Sequence, residues 1–209
     1  MSRGDSQDLA LRATRLTNLA ETLTVGTLED GIRMGMTQLG PLTGDADRLA
    51  DLAGAYRAAA TELRDTGVEL LAEYADTVPW QGKAAAAAAE VISAEGRRLG
   101  EDAEILAAAA TLLAGHAERF AQARREHQEL HQRFVELGHK VSLLLPVLAL
   151  DPGSALAFTG LVADALTDSA ALLDAVRSDV DGIADGLRRM QDGGVTAARE
   201  LTAATASAR

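Results

Sequence analysis

The 209-residue chain has no cysteine. Disulfides, thiolate nucleophiles and cysteine-ligated metals are therefore excluded, and no redox compartment can be read. Aromatic residues are scarce at 3%, with one tryptophan, two tyrosines and three phenylalanines. Much of the 47% hydrophobic content is alanine. Small side chains bury little area, at about 25 cal/mol per Å2. A thick globular core is not expected. Long helices packed closely side by side suit alanine better, because it is the strongest helix former and lets backbones approach. Positive charge is also in deficit, with 20 Lys and Arg against 31 Asp and Glu and a net charge of −11. Nucleic acid is not an expected partner, since phosphate binding needs clustered cations on one face. The arginines of "ERFAQARREHQELHQR" are mixed with acids and read as a solvated helix face. The start, "MSRGDSQDLALR", lacks an apolar h-region, so no secretory signal peptide is expected. The longest apolar run, "VSLLLPVLAL", is about half the roughly twenty residues a spanning helix needs.

What remains is helical periodicity. Residues Asp5 to Thr24 read as a helix, with Leu9, Leu16, Leu19, Ala20 and Leu23 near helical spacing. Four glycines in Val25–Gly40 predict a broken helix or loop there. A rod from about Asp45 to Thr77 follows, capped by Thr43 or Asp45 and stopped by Pro79. Its stripe includes Leu49, Leu52, Tyr56, Leu63, Leu70 and Tyr74. A second rod runs from Lys83 to about Leu145, where Pro146 is expected to bend or end it. "DPGS" at 151–154 reads as a turn. A third rod runs from about Ala155 to Gln191, broken by the glycine pair at 193–194, with a fraying tail beyond. No strand-like alternation of any length occurs. The expected fold is all-α, an elongated antiparallel bundle. Its segments are 1–43 (helix and Gly-rich lead-in), 44–145 (a helical hairpin) and 146–209 (a helical segment packing on that hairpin).

The lone tryptophan sits in "DTVPWQGKAAAAAAE", between the first two rods. Rods joined by so few residues must run antiparallel and bury their stripes on each other. Pro79 supplies the stop, Gly82 the backbone freedom, and Trp80 a large group to close the end of an alanine-lined seam. A helix, then Trp80-Gln81-Gly82, then an alanine-rich helix resembles the WxG-motif proteins of type VII (ESX) secretion in actinobacteria. The flanks "LADLAGAYRAAATEL" and "KAAAAAAEVISAEGRRLGEDAEILAAAATLLAGHAERFAQAR" are similar to the N-terminal domains of larger members. The likeness covers roughly Gly44 to Gln128.

The resemblance implies a non-enzymatic secreted substrate or secretion-associated adaptor that works through helix-to-helix contact. Its partners would be a small WxG-type helical protein or a second copy, and the secretion machinery. It would be cytoplasmic before export and then secreted. The chain is about twice the length of small members, so its C-terminal segment is expected to supply packing that a partner supplies elsewhere. The family's export signal, Tyr-x-x-x-Asp/Glu after the second helix, is missing: Tyr56 is followed four positions on by Ala60, and Tyr74 by Val78. Export would then take place with a signal-bearing partner. The stripe on the second rod, at Leu99, Leu106, Leu113, Phe120 and Phe134, is the expected partner contact. The alternative is a cytoplasmic structural or regulatory helical bundle with no link to secretion.

Other constellations carry less. His127 and His131 are four apart on one helix, with His116 nearly on the same face. "HQELH" nevertheless lacks the glutamate placement of a zinc protease helix, and no third ligand is evident. These histidines read as seam or edge residues. The Asp-Gly pairs at 181–182, 185–186 and 192–193 lack the alternating ligands and closing glutamate of a calcium loop. No P-loop, Gly-x-Ser-x-Gly element or carboxylate pair is present, so neither an enzyme nor a cofactor is expected. The apolar segments flanking "DPGS" read as the core of a second hairpin, and membrane contact is not expected.

Overall fold

The computed structural model describes residues 3–77, 81–148 and 150–207. The described residues form five α-helices and one 3-10 turn, with no strand. In chain order these are α1 (Arg3–Thr22), the turn Val25–Thr27, α2 (Leu28–Leu39), α3 (Ala46–Thr77), α4 (Lys83–Leu148) and α5 (Pro152–Ser207). The helices pack into an all-α bundle, as the composition and periodicity predict.

Helix starts follow from local chemistry. Asp45 accepts the backbone N–H groups of Asp47 at 3.0 Å and Arg48 at 3.2 Å, which satisfies two orphan donors of α3. Asp151 caps α5: its carboxylate accepts the Gly153 N–H at 3.1 Å and, from a side chain, the Ser154 hydroxyl at 2.5 Å. Pro152 takes the first helical position, where its missing N–H costs nothing. Pro146 does not stop α4 but sits inside its last turn, with the helix ending at Leu148.

The chain divides into two compact units that are discontinuous in sequence. Residues 1–44 and 118–182 form unit 1, and residues 45–117 and 183–209 form unit 2. Both α4 and α5 contribute to each unit, so the packing does not follow the consecutive segments 1–43, 44–145 and 146–209.

Unit 1 contains α1, α2, the C-terminal half of α4 and the N-terminal half of α5. Its core is a set of single stripes: Leu9, Ala13 and Leu16 on α1, Leu28, Ile32 and Leu39 on α2, Phe134, Leu137 and Val141 on α4, and Val162, Leu166 and Leu173 on α5, all buried. Of the broken helix or loop expected over 25–40, the broken helix is found: the 3-10 turn Val25–Thr27 leads into α2. Two of the four glycines in that stretch, Gly31 and Gly35, are buried inside the helix. A Cβ at Gly35 would stand 2.7 Å from Leu166 Cδ2 and 2.9 Å from the Phe134 ring. The glycines let α2 approach its neighbours rather than breaking it.

Unit 2 contains α3, the N-terminal half of α4 and the C-terminal part of α5. Its core is thin-walled: Ala108, Ala109, Met190 and Ala198 are buried together, and Tyr56, Ile105, Leu112, Leu187 and Leu201 pack around them. Gly194 leaves helical geometry at φ 57° and ψ −138°, so α5 is kinked there. The chain then resumes its helix instead of fraying, because Ala198 is buried against α4 and Arg199 holds Glu104 at 2.7 and 3.0 Å.

Candidate functional site

The first corner of interest is the reversal between α3 and α4. Pro79 and Trp80 lie outside the described residues, so the expected tryptophan plug has no structural counterpart to report. Gly82 is described, with φ +101°, a conformation that side-chain-bearing residues rarely adopt. Its carbonyl accepts the first bond of α4, from the Ala86 N–H at 3.2 Å.

On either side of the corner the two helices lie flank to flank and antiparallel. The Tyr74 hydroxyl donates to the Ala85 carbonyl at 3.0 Å. Further from the corner, a Cβ at Gly67 would meet the Gly96 carbonyl at 3.4 Å, and one at Gly96 would meet the Leu71 side chain at 3.2 Å. Glycines facing across the seam keep the backbones close, which is what a pair of alanine-rich rods requires.

Near the corner little of the hairpin is covered among the described residues. From Gln81 to Asp102 on α4 no residue is buried. Val68 and Leu71 of α3 and Val91 of α4 are exposed by 62%, 44% and 68%. Burial resumes at Ala103, close to where Glu104 meets Arg199 of α5. The described end of the hairpin carries these three exposed apolar side chains among charged ones.

The expected contact stripe is placed differently. Leu113 is buried in unit 2, and Phe120 and Phe134 are buried in unit 1, so none of the three presents a free face. Leu99 and Leu106 are half-buried. A helical stripe read from sequence does not say whether a neighbour in the same chain already covers it. Here α1, α2 and α5 bring in residues that pack beside α4 in their own units. The exposed residues that sequence reasoning missed, Val68 and Val91, belong to no continuous stripe.

The histidines do not gather. His116 is buried in unit 2 and His131 is exposed. His127 Nε2 bonds the Gly40 carbonyl at the end of α2. Arg12 serves the same helix end, with Nε donating to the Gln38 carbonyl at 2.6 Å and Nη2 to the Leu39 carbonyl. Among the described residues no three His, Asp or Glu side chains are placed to hold a metal ion.

Two open grooves of about 510 and 400 Å3 run along the α4–α5 seam of unit 1. Their cations are engaged with anions: Arg133 with Asp168 at 2.9 Å, and Arg119 with Asp179 at 2.5 Å. In unit 2, the Arg199 guanidinium donates to Glu104 and holds its carboxyl below the usual glutamate range, and the pairing raises Arg199 in turn. At the start of α5, the bond from the Ser154 hydroxyl, and then the Gly153 and Ser154 backbone N–H groups, hold Asp151 below the ordinary aspartate range.

The α4–α5 corner divides the apolar segments around "DPGS" into two populations. Val141, Leu148, Ala155, Phe158, Val162 and Leu166 are buried, as a core reading predicts. Leu143, Leu150 and Leu156 are exposed by 65%, 85% and 74%, against that reading, and Leu144 and Leu161 are also exposed. By length and composition α5 contains a stretch apolar enough to cross a membrane, of which 39% is buried inside the fold.

No family model, curated protein or solved structure matches the chain.

Proposed function

We propose that the protein is a non-enzymatic component of type VII (ESX) secretion, a secreted substrate or adaptor that acts by helix-to-helix contact. The observation that carries this reading is the α3–α4 hairpin. Its first helix ends at Thr77 and its second begins at Lys83, and no described residue of α4 before Ala103 is buried. Two antiparallel helices with Val68, Leu71 and Val91 open to water present a surface that another helical hairpin can cover. The occupant would be a small helical partner of the same motif type, which would also bring the Tyr-x-x-x-Asp/Glu signal that this chain lacks.

Expression in an actinobacterial host with an intact or deleted ESX ATPase, with and without a co-expressed small WxG partner, tests the proposal. The expected outcome is recovery of the chain from the culture filtrate only when ATPase and partner are both present. Gly82→Ala, which disturbs the corner, should reduce that recovery. Retention inside the cell under all four conditions would sink the secretion reading and leave a cytoplasmic bundle.

A further inference from the structure

The α4–α5 corner of unit 1 carries an inference independent of the secretion reading. Between Val141 and Ala163 the only charged side chain is Asp151. Leucines are exposed at the end of α4 (Leu143, Leu144), in the connection (Leu150) and near the start of α5 (Leu156). They are spread over both arms and the connection. A fluid apolar phase accommodates such a spread without a preformed socket.

The polar side chains of the stretch are already satisfied within the chain. The Ser142 hydroxyl donates to the Gly138 carbonyl at 3.0 Å, and the Thr159 hydroxyl to the Ala155 carbonyl at 2.9 Å. Ser154 and the Gly153 N–H both bond Asp151. Removing these groups from water therefore strands no side-chain donor or acceptor, the condition that a lipid environment imposes.

Length and charge narrow the mode of contact. The arms Val141–Leu148 and Pro152–Ala163 are about 12 and 18 Å of helix, well short of the ~30 Å hydrocarbon core. Charge returns at Lys140 on one arm and at Asp164 on the other. Asp151 in the connection limits the corner to the headgroup and upper acyl level, because a carboxylate is costly at the bilayer centre. The net charge of −11 opposes an anionic surface. A second copy meeting this one corner to corner would bring two Asp151 carboxylates together.

We propose that the α4–α5 corner docks shallowly into one leaflet of an uncharged, zwitterionic bilayer, with Leu143, Leu150 and Leu156 as the inserting side chains.

Flotation of the full chain with phosphatidylcholine vesicles tests this. The wild type should float, and the triple variant Leu143→Ser, Leu150→Ser, Leu156→Ser should partition at least about tenfold less. Val68→Ser, at an exposed apolar site in unit 2, should float like the wild type. Helical content by circular dichroism should be equal in all three, because the substituted side chains are exposed. Adding anionic lipid should weaken binding. A Leu150→Trp variant gives a second readout, with its fluorescence shifting to the blue when vesicles are added. Failure of the wild type to float, equal flotation of the triple variant, or no shift from Leu150→Trp would each overturn the proposal. A wild type that stays off vesicles and sediments as a dimer, with the triple variant monomeric, would assign the corner to self-association instead.

Discussion

Gly35 of α2 lies so close to the ring of Phe134 that a Cβ built on the glycine would stand 2.9 Å from Cε1 and Cζ. Phe134 is fully buried and so cannot swing away into solvent. Gly35→Ala should therefore destabilise unit 1 by about 1–3 kcal/mol through overpacking, despite alanine's higher helix propensity. Gly54 of α3 is the control: it is exposed, with nothing within 4 Å of a built Cβ. Gly54→Ala should stabilise by about 0.5–1 kcal/mol. Urea denaturation of both variants checks the opposite signs.

Arg12 closes the C-terminal end of α2 by donating to the Gln38 and Leu39 carbonyls, and its side chain is only 15% exposed. Arg12→Ala should cost about 1.5–3 kcal/mol, the range for hydrogen bonds from a charged group. His127 keeps its bond to the neighbouring Gly40 carbonyl, so that end of α2 is not left wholly without donors. Hydrogen exchange should show faster opening of α2 than of α3 in this variant.

The Glu104–Arg199 pair predicts an acid dependence. Glu104 has a lowered pKa when folded, so it contributes stability above the ordinary glutamate value of about 4.3. That contribution fades as pH falls through the lowered folded value. The wild type should exceed Glu104→Gln in urea midpoint at neutral pH, and the two curves should converge as pH falls below that of an ordinary glutamate. Both partners are largely solvated, so the gap should be small and should narrow in high salt.

Gly82 is in open space, so any cost of a side chain there comes from the backbone alone. With φ at +101°, Gly82→Ala should destabilise by about 1–3 kcal/mol. Gly82→Ser should cost about the same. Equal stability of Gly82→Ala and wild type in urea would show that the α3–α4 reversal does not require this conformation.

Local stop and start signals were legible in the sequence. The start of α3 and the beginning of α4 follow from Asp45 and Gly82, whereas α5 begins at Pro152, three residues before the expected Ala155, because Asp151 caps it and "DPGS" is not a separate turn. These residues act on backbone groups within a few positions of themselves. The all-α class followed from periodicity in the same way. What could not be read depends on neighbours distant in sequence. Gly31 and Gly35 look like breakers until Leu23, Phe134 and Leu166 are placed beside them. The tail after Gly194 looks frayed until α4 supplies a wall for Ala198. Burial of Phe120 and Phe134, and exposure of Leu143 and Leu156, are likewise decided by partners across the fold. No one-dimensional stripe encodes them.

The sharing of α4 and α5 between both compact units has a consequence for synthesis. Residues 1–44 complete their unit only with residues 118–182, and residues 45–117 complete theirs only with residues 183–209. Unit 1 cannot close until residue 182 has been made, and unit 2 must wait for residues 183–209 after that. For most of translation the nascent polypeptide carries helices whose greasy sides await a mate. A holdase, or a binding protein engaging it at that stage, would meet surfaces that the finished molecule no longer offers.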